Sequence, residues 1–215
     1  MKRITNVFLV ACIVLVTACH WIGIRGNGNI KTDERTIAAF ANIDVSGAFA
    51  IEWQSGSPAL RITTDENLLP YIASNVSGDT LRLRTREQIR PTRGINVVIS
   101  SPTRAGAKLS GAVKLDAKQL SGTTFALQSS GAARVSLQGN VEELLADMTG
   151  ASELTAGALQ TKSAEISTTG AGDAEVAVAE TLKVAITGAG KVTYSGNPPT
   201  IKKHITGAGS IRRKD

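Results

Sequence analysis

The side chains best suited to hold a ligand are arginines. Between residues 82 and 104 stand Arg82, Arg84, Arg86, Arg90, Arg93 and Arg104, against a single acid, Glu87. The first three alternate with Leu83 and Thr85, so an extended segment carries them on one face. Guanidinium forks match phosphate and carboxylate oxygens, which points to lipid headgroups or acidic glycans. The plainer reading is a charged strand face that discourages edge pairing.

Other constellations lead nowhere catalytic. The histidines are His20 and His204, and neither is placed to serve a Ser-His-Asp relay. Zinc needs clustered Cys and His, and no such cluster occurs. Asp173 and Glu175 are two residues apart in an alternating segment, so they point the same way and do not flank a glycosidic bond. They could hold a cation or form a solvated face. Gly170-Ala171-Gly172-Asp173 resembles a calcium-roll repeat but lacks its nine-residue period. Gly188-Ala189-Gly190-Lys191 resembles a phosphate loop but has Ala185 and Val192 where the motif needs glycine and a hydroxyl. Gly26-Asn27-Gly28 follows no strand and opens no helix, so it is no nucleotide fingerprint. We expect no enzyme activity, no cofactor and no metal.

The elements that position these residues come from a repeat. A hydroxyl-Gly-Ala triplet occurs at Ser46, Ser110, Ser130, Thr149, Thr169, Thr187 and Thr206, with spacings of 20, 19, 20, 18 and 19 from Ser110 onward. Aligning the triplets produces apolar columns. Five residues before the hydroxyl stand Ala105, Phe125, Leu144, Ala164, Leu182 and Ile201; three before, Ala107, Leu127, Ala146, Ile166, Val184 and Lys203; one before, Leu109, Ser129, Met148, Thr168, Ile186 and Ile205. Beyond it, the fifth position gives Leu115, Val135, Leu154, Ala174, Val192 and Ile211. Polar residues fall between, so the period is two on both sides of a glycine.

About nineteen residues cannot bury a core alone, so such units must stack. The expected fold is all-β: a parallel β-helix, or β-solenoid, with coils of about 19 residues and a less regular amino-terminal β section. Gly47, Gly111, Gly131, Gly150, Gly170, Gly188 and Gly207 are its expected structural corners, where positive φ costs least at glycine. The Ser/Thr hydroxyls are expected to cap backbone groups freed there. An antiparallel sandwich would show paired hairpin signals, whereas here one triplet marks each period. Lys203 in a core column and Arg212-Arg213-Lys214 make the last coil a cap against end-to-end stacking. Ahead of the repeats, residues 40–45, 48–53, 59–63, 81–85 and 95–100 read as strands. Residues 65–69 read as the start of a short helix capped by Thr64 or Asp65.

Composition and the first residues bound the rest. Aromatics are only 4% of the chain, too few for a column on which neutral sugars could stack. Lys2 and Arg3 precede an apolar run over residues 4–16, too short to span a bilayer, which needs about 20 residues, and fitting for a secretory leader. It ends in Leu15-Val16-Thr17-Ala18-Cys19, which resembles a bacterial lipobox; a plain signal peptide is the alternative, and Cys12 belongs to the leader. That resemblance implies lipidation of Cys19, a membrane attachment by N-terminal lipid, and, with His20 rather than Asp next, the outer membrane. Loss of Lys2 and Arg3 lowers the formal charge from +6 to +4, too mild for nucleic acid. The expected organisation is a leader over 1–18, a tether over 19–34, a domain over 35–211 (irregular to 104, regular from 105) and a basic tail over 212–215.

Thr32-Asp33-Glu34-Arg35, Phe40, Ile43-Asp44-Val45-Ser46-Gly47-Ala48-Phe49, Asp65-Glu66-Asn67-Leu68-Leu69, the triplet coils and Tyr194-Ser195-Gly196-Asn197-Pro198-Pro199, in that order, resemble the GIN domain of bacterial envelope proteins, a family labelled an autotransporter-adhesin head. The likeness runs over residues 28–211 and implies a β-helical exported domain without assigned catalytic residues. The expectation is a non-enzymatic envelope lipoprotein presenting solenoid faces to an acidic glycan, a lipid headgroup or an envelope protein. The alternatives are a periplasmic scaffold or envelope-stress factor and, last, a carbohydrate-active β-helix enzyme.

Overall fold

The computed structural model describes residues 23–214. The leader, the Cys19 motif and His20 lie outside the described residues. Among the described residues seventeen strands form: β1 (Ile24–Arg25), β2 (Ile30–Arg35), β3 (Asn42–Gly47), β4 (Ala50–Ser55), β5 (Ala59–Asp65), β6 (Ile72–Ser77), β7 (Thr80–Thr85), β8 (Ile89–Arg90), β9 (Asn96–Ser101), β10 (Gly106–Gly111), β11 (Lys114–Gly131), β12 (Arg134–Gly150), β13 (Glu153–Gly170), β14 (Asp173–Gly188), β15 (Lys191–Ser195), β16 (Thr200–Gly207) and β17 (Ser210–Arg213). A 3₁₀ helix spans Glu66–Tyr71.

The solenoid has two faces meeting at the triplet corner. Before the corner, β7, β3, β10 and the second halves of β11 to β14 run parallel, ending in β16. After it, β9, β4, the first halves of β11 to β14, β15 and β17 do the same. The triplets stack in register, Gly47 on Gly111, Gly111 on Gly131, and so on to Gly188 on Gly207. The apolar columns lie inside: Phe125, Leu144, Leu182, Leu127, Ile166, Leu115 and Leu154 are all buried.

Each corner glycine has φ between +98° and +131°. Gly170 shows a second reason for the residue. A Cβ there would stand 2.6 Å from the carbonyl oxygen of Gly150 in the coil below. That oxygen accepts from Ala171 N–H at 2.9 Å. The same carbonyl-to-amide bond recurs at Ala112, Ala132, Ala151 and Ala189, so the neighbouring coil's backbone satisfies the corner. The Ser/Thr hydroxyls do not cap it. They form an outward row, largely exposed, in which Ser130 Oγ donates to Ser110 Oγ at 3.3 Å.

The residue before the hydroxyl and the third one after it share the space inside the corner. These pairs run Leu109/Val113, Ser129/Ala133, Met148/Ser152, Thr168/Gly172, Ile186/Gly190 and Ile205/Gly209. A Cβ at Gly172 would meet Thr168 Oγ1 at 2.7 Å, and one at Gly190 would meet Thr168 Cγ2 at 2.9 Å. This packing accounts for the Gly-Ala-Gly fragments that resembled calcium and phosphate loops.

The irregular section is a further coil laid beneath the first. The chain runs β3–β4, leaves the stack, and returns with β7 beside β3 and β9 beside β4. Antiparallel strands close this end: β6 covers β7, β5 covers β9, and β2 covers β5. The segment expected as a tether over 19–34 is, in its described part, folded structure. β1 pairs with β8, and Gly26 to Asn29 wraps the buried carboxylate of Asp65. Oδ1 of Asp65 accepts from Gly28 N–H at 2.7 Å and from Thr92 Oγ1 at 2.8 Å, and Oδ2 from Thr92 N–H at 2.8 Å. Asp65 therefore ties two loops together instead of capping the 3₁₀ helix, whose amides its side chain does not bond. At the other end Arg212 and Arg213, expected in a tail, belong to β17.

Candidate binding surfaces

The six arginines do not form one site. Arg82 and Arg84 share the outer face of β7, in register with Asp44 and Ser46 of β3. Asp44 in turn is in register with Lys108 of β10, so the row beyond Arg82 alternates in sign. Arg86 is exposed just past β7. Arg90 sits on β8 opposite Arg25, and Arg93 is exposed in the loop before β9. Arg104 is buried and spent internally. Its Nη1 donates to Trp53 O at 3.1 Å and Lys118 O at 2.6 Å, and its Nη2 to Gln119 O. Burial lowers its pKa from the ordinary value. The sequence cluster thus reduces to a short basic strip around Arg82, Arg84 and Arg86.

Asp173 and Glu175 face outward on β14, and Glu175 accepts from Lys214 Nζ at 2.6 Å. Among the described residues no three His, Cys, Asp or Glu side chains converge as a metal would require.

Arg104 leads to a site that residue types alone did not mark. The three residues whose carbonyls it holds line a cleft of about 660 Å³ at the solenoid edge opposite the triplet corners. Glu52 and Gln54 of β4, Lys118 and Gln119 of β11, Gln138 and Gly139 of β12, and Ala158 of β13 line it. Gln119 has φ +55°, the one non-glycine in the left-handed region among the described residues. Asn and Asp tolerate that region best, and other side chains are strained there. Arg104 holds the carbonyl that follows this torsion. Glu52 accepts from Gln54 Nε2 at 3.0 Å, and Lys118 Nζ lies 3.5 Å from Asp116 Oδ2. One acid, one base and three amides make a nearly neutral lining in which each amide both donates and accepts. Trp53 contributes no stacking platform. It is fully buried between Phe40 and Phe125, and its Nε1 donates to Ser101 Oγ at 2.9 Å. Legibility fails here because register shifts where the coils bend, between Ala117 and Leu120 and between Ser136 and Gln138. Repeat alignment puts Gln54 and Gln138 in one column, with Lys118, and leaves Gln119 one residue beyond it.

The fold is a one-cornered parallel β-solenoid closed at one end by antiparallel strands, a scaffold that presents laddered faces. Residues 39–198 match the family described as "Putative auto-transporter adhesin, head GIN domain", and the chain belongs to that family. A crystal structure from Bacteroides fragilis NCTC 9343, titled a putative adhesin, is similar with TM-score 0.75 and 22% identity, over 89% of this chain and 100% of that one. A putative lipid binding protein from Parabacteroides distasonis ATCC 8503 follows with TM-score 0.53 and 22% identity, over 89% and 99%. A putative adhesin from Parabacteroides merdae ATCC 43184 gives TM-score 0.50 and 21% identity, over 90% and 100%. No curated protein matches the chain. At these identities the structural likeness is one of fold. The family and these structures carry adhesin or lipid-binding descriptions rather than enzyme names, and an adhesin-type family is one of the envelope or exported proteins.

Proposed function

We propose that this chain is a non-enzymatic binding module of the bacterial envelope, held to the outer membrane by lipid on Cys19, and that it takes a short glycan segment in the cleft between Gln54, Gln119 and Gln138. The observation that carries this reading is the strained Gln119, which lines the cleft and whose backbone carbonyl a buried arginine holds. Strain held in place by surrounding structure marks a position kept for something other than stability. A near-neutral lining of amides suits hydroxyl-rich ligands. The basic strip of Arg82, Arg84 and Arg86 lies outside the cleft, on the face before the corner, and would add affinity only for acidic chains that reach it.

The test is a glycan array carrying neutral and uronic-acid oligosaccharides, read with the wild-type chain and with the Gln119→Ala/Gln138→Ala variant. Binding of a neutral glycan that the double variant loses supports the reading. Binding unchanged in the variant, or no binding at all, removes the cleft from consideration. Protease shaving of intact and lysed cells then decides which side of the outer membrane the cleft serves.

A further inference from the structure

The two ends of the solenoid are finished differently. One end is covered by β2, β5 and β6. At the other, β16 pairs with β14 on one side, and among the described residues nothing pairs with its outer edge. Every residue of β16 is exposed. Ile201 and Ile205, which continue the inner columns of Leu182 and Ile186, are 42% and 38% exposed. They are the exposed large hydrophobics among the described residues. Between them Lys203 occupies the inner column over Val184, and Lys202 and His204 point outward. β17 adds Arg212 and Arg213 on the second face. From Thr181 to Lys214 the sequence has seven Lys and Arg and no Asp or Glu.

An open parallel edge offers a row of free N–H and C=O groups to another strand. The side chains choose which strand. We propose that the outer edge of β16 receives an acidic extended segment of another envelope protein, added parallel as one more coil edge. Its apolar residues lie over Ile201 and Ile205, and its carboxylates lie over Lys202 and Lys203. A second copy of this chain does not fit. Edge to edge, two copies oppose Lys202, Lys203, Arg212 and Arg213 to themselves. End to end, the far edge offers β6, which carries no charge, and β2, where Asp33 is taken by Arg35 at 2.8 Å and Glu34 by Arg61 at 2.9 Å. The strand gives affinity through its backbone, and the lysines give the choice of partner.

The test uses the full chain and a fluorescein-labelled peptide of sequence TVEDTVTG, which pairs residue for residue with Thr200–Gly207. Fluorescence anisotropy measures binding, and amide shifts locate it. Saturable binding that perturbs residues 200–213, weakens with salt, and falls at least about tenfold in Lys202→Glu/Lys203→Glu is expected. Both lysines are exposed, so the double variant keeps the wild-type melting temperature. Ile205→Thr, also at the open edge, weakens binding without the charge change. The proposal is overturned by no binding, by equal binding of the basic peptide TVKKTVTG, or by shifts confined to the Gln119 cleft. It is also overturned by dimerisation through this edge in sedimentation, or by phosphatidylglycerol vesicles that bind there and resist displacement by the acidic peptide. Because the cleft and β16 are separate, failure here leaves the glycan reading untouched, and the converse also holds.

Discussion

Replacing Gly170 by alanine tests the central element of the architecture, the in-register corner. Two costs add. At φ +118° the backbone lies well outside the range that L-residues adopt, a strain of about 1–3 kcal/mol. The new Cβ also falls 2.6 Å from Gly150 O, so the two coils must separate by several tenths of an ångström at the corner. That stretches the Ala171 N–H to Gly150 O bond, now 2.9 Å, worth about 1 kcal/mol net. Together these give about 3 kcal/mol, or a fall in Tm of about 6–12 °C at 2–4 °C per kcal/mol for a domain of this size. Gly78 is the control. It too has positive φ, +62°, but a Cβ there meets nothing within 4 Å. Gly78→Ala should therefore cost about 1 kcal/mol, the left-handed penalty alone. Thermal unfolding followed by circular dichroism separates the two. Equal shifts in the two variants would show that coil-to-coil contact contributes nothing and that the corner glycine is there for its torsion only.

Three further outcomes are expected. The bonds from Thr92 and Gly28 outweigh the effect of burial and hold the Asp65 carboxyl below its ordinary pKa. Its contribution is therefore complete above the unfolded value, about 3.9, and is lost as pH falls through the folded one. In Asp65→Asn, whose amide nitrogen cannot accept, a urea series should show lower stability at neutral pH and a flatter acid limb below about pH 4; an unchanged acid limb would contradict this. Arg104→Met removes three hydrogen bonds from a charged donor and leaves the buried Trp53 carbonyl without it, a cost of about 1–3 kcal/mol at that group alone. It should lower the denaturation midpoint more than Arg82→Met, which removes an exposed side chain. Thr168→Val removes a buried Oγ1 that has no partner while keeping the shape. It should leave Tm unchanged or raise it by a few degrees, and a clear drop would mean that the hydroxyl has an unrecognised role.

Much of the fold was legible because a solenoid repeats its physics. A column such as Leu127, Ile166 and Val184 appears in the sequence because each coil must fill the same cross-section, and the triplet glycine recurs because each corner sits on the one below. The same reasoning misassigned the hydroxyl, since periodicity shows that a residue recurs but not which way it faces. Strands at 59–63, 81–85 and 95–100 were read in roughly the right places, but β6 and β8 were missed, and the order in the stack was not readable. That order depends on β9 entering between β4 and β5, a pairing between segments far apart in sequence. Likewise Gly26-Asn27-Gly28 looked like a loose linker until Asp65, some 37 residues on, accepted its amide.

The candidate sites divide along the same line. Six arginines close in sequence suggested one basic face, and the fold sent Arg104 inside, where three carbonyls from two strands hold it. In the cleft, Gln54, Lys118 and Gln138 keep the repeat register, and Gln119 joins them from one residue further on, where β11 shifts register at the far bend. Local alternation and spacing determined the fold class, the repeat length and the corner. Contacts between segments distant in the chain decided which polar residues meet, because burial and register at the bends depend on the coils lying on either side.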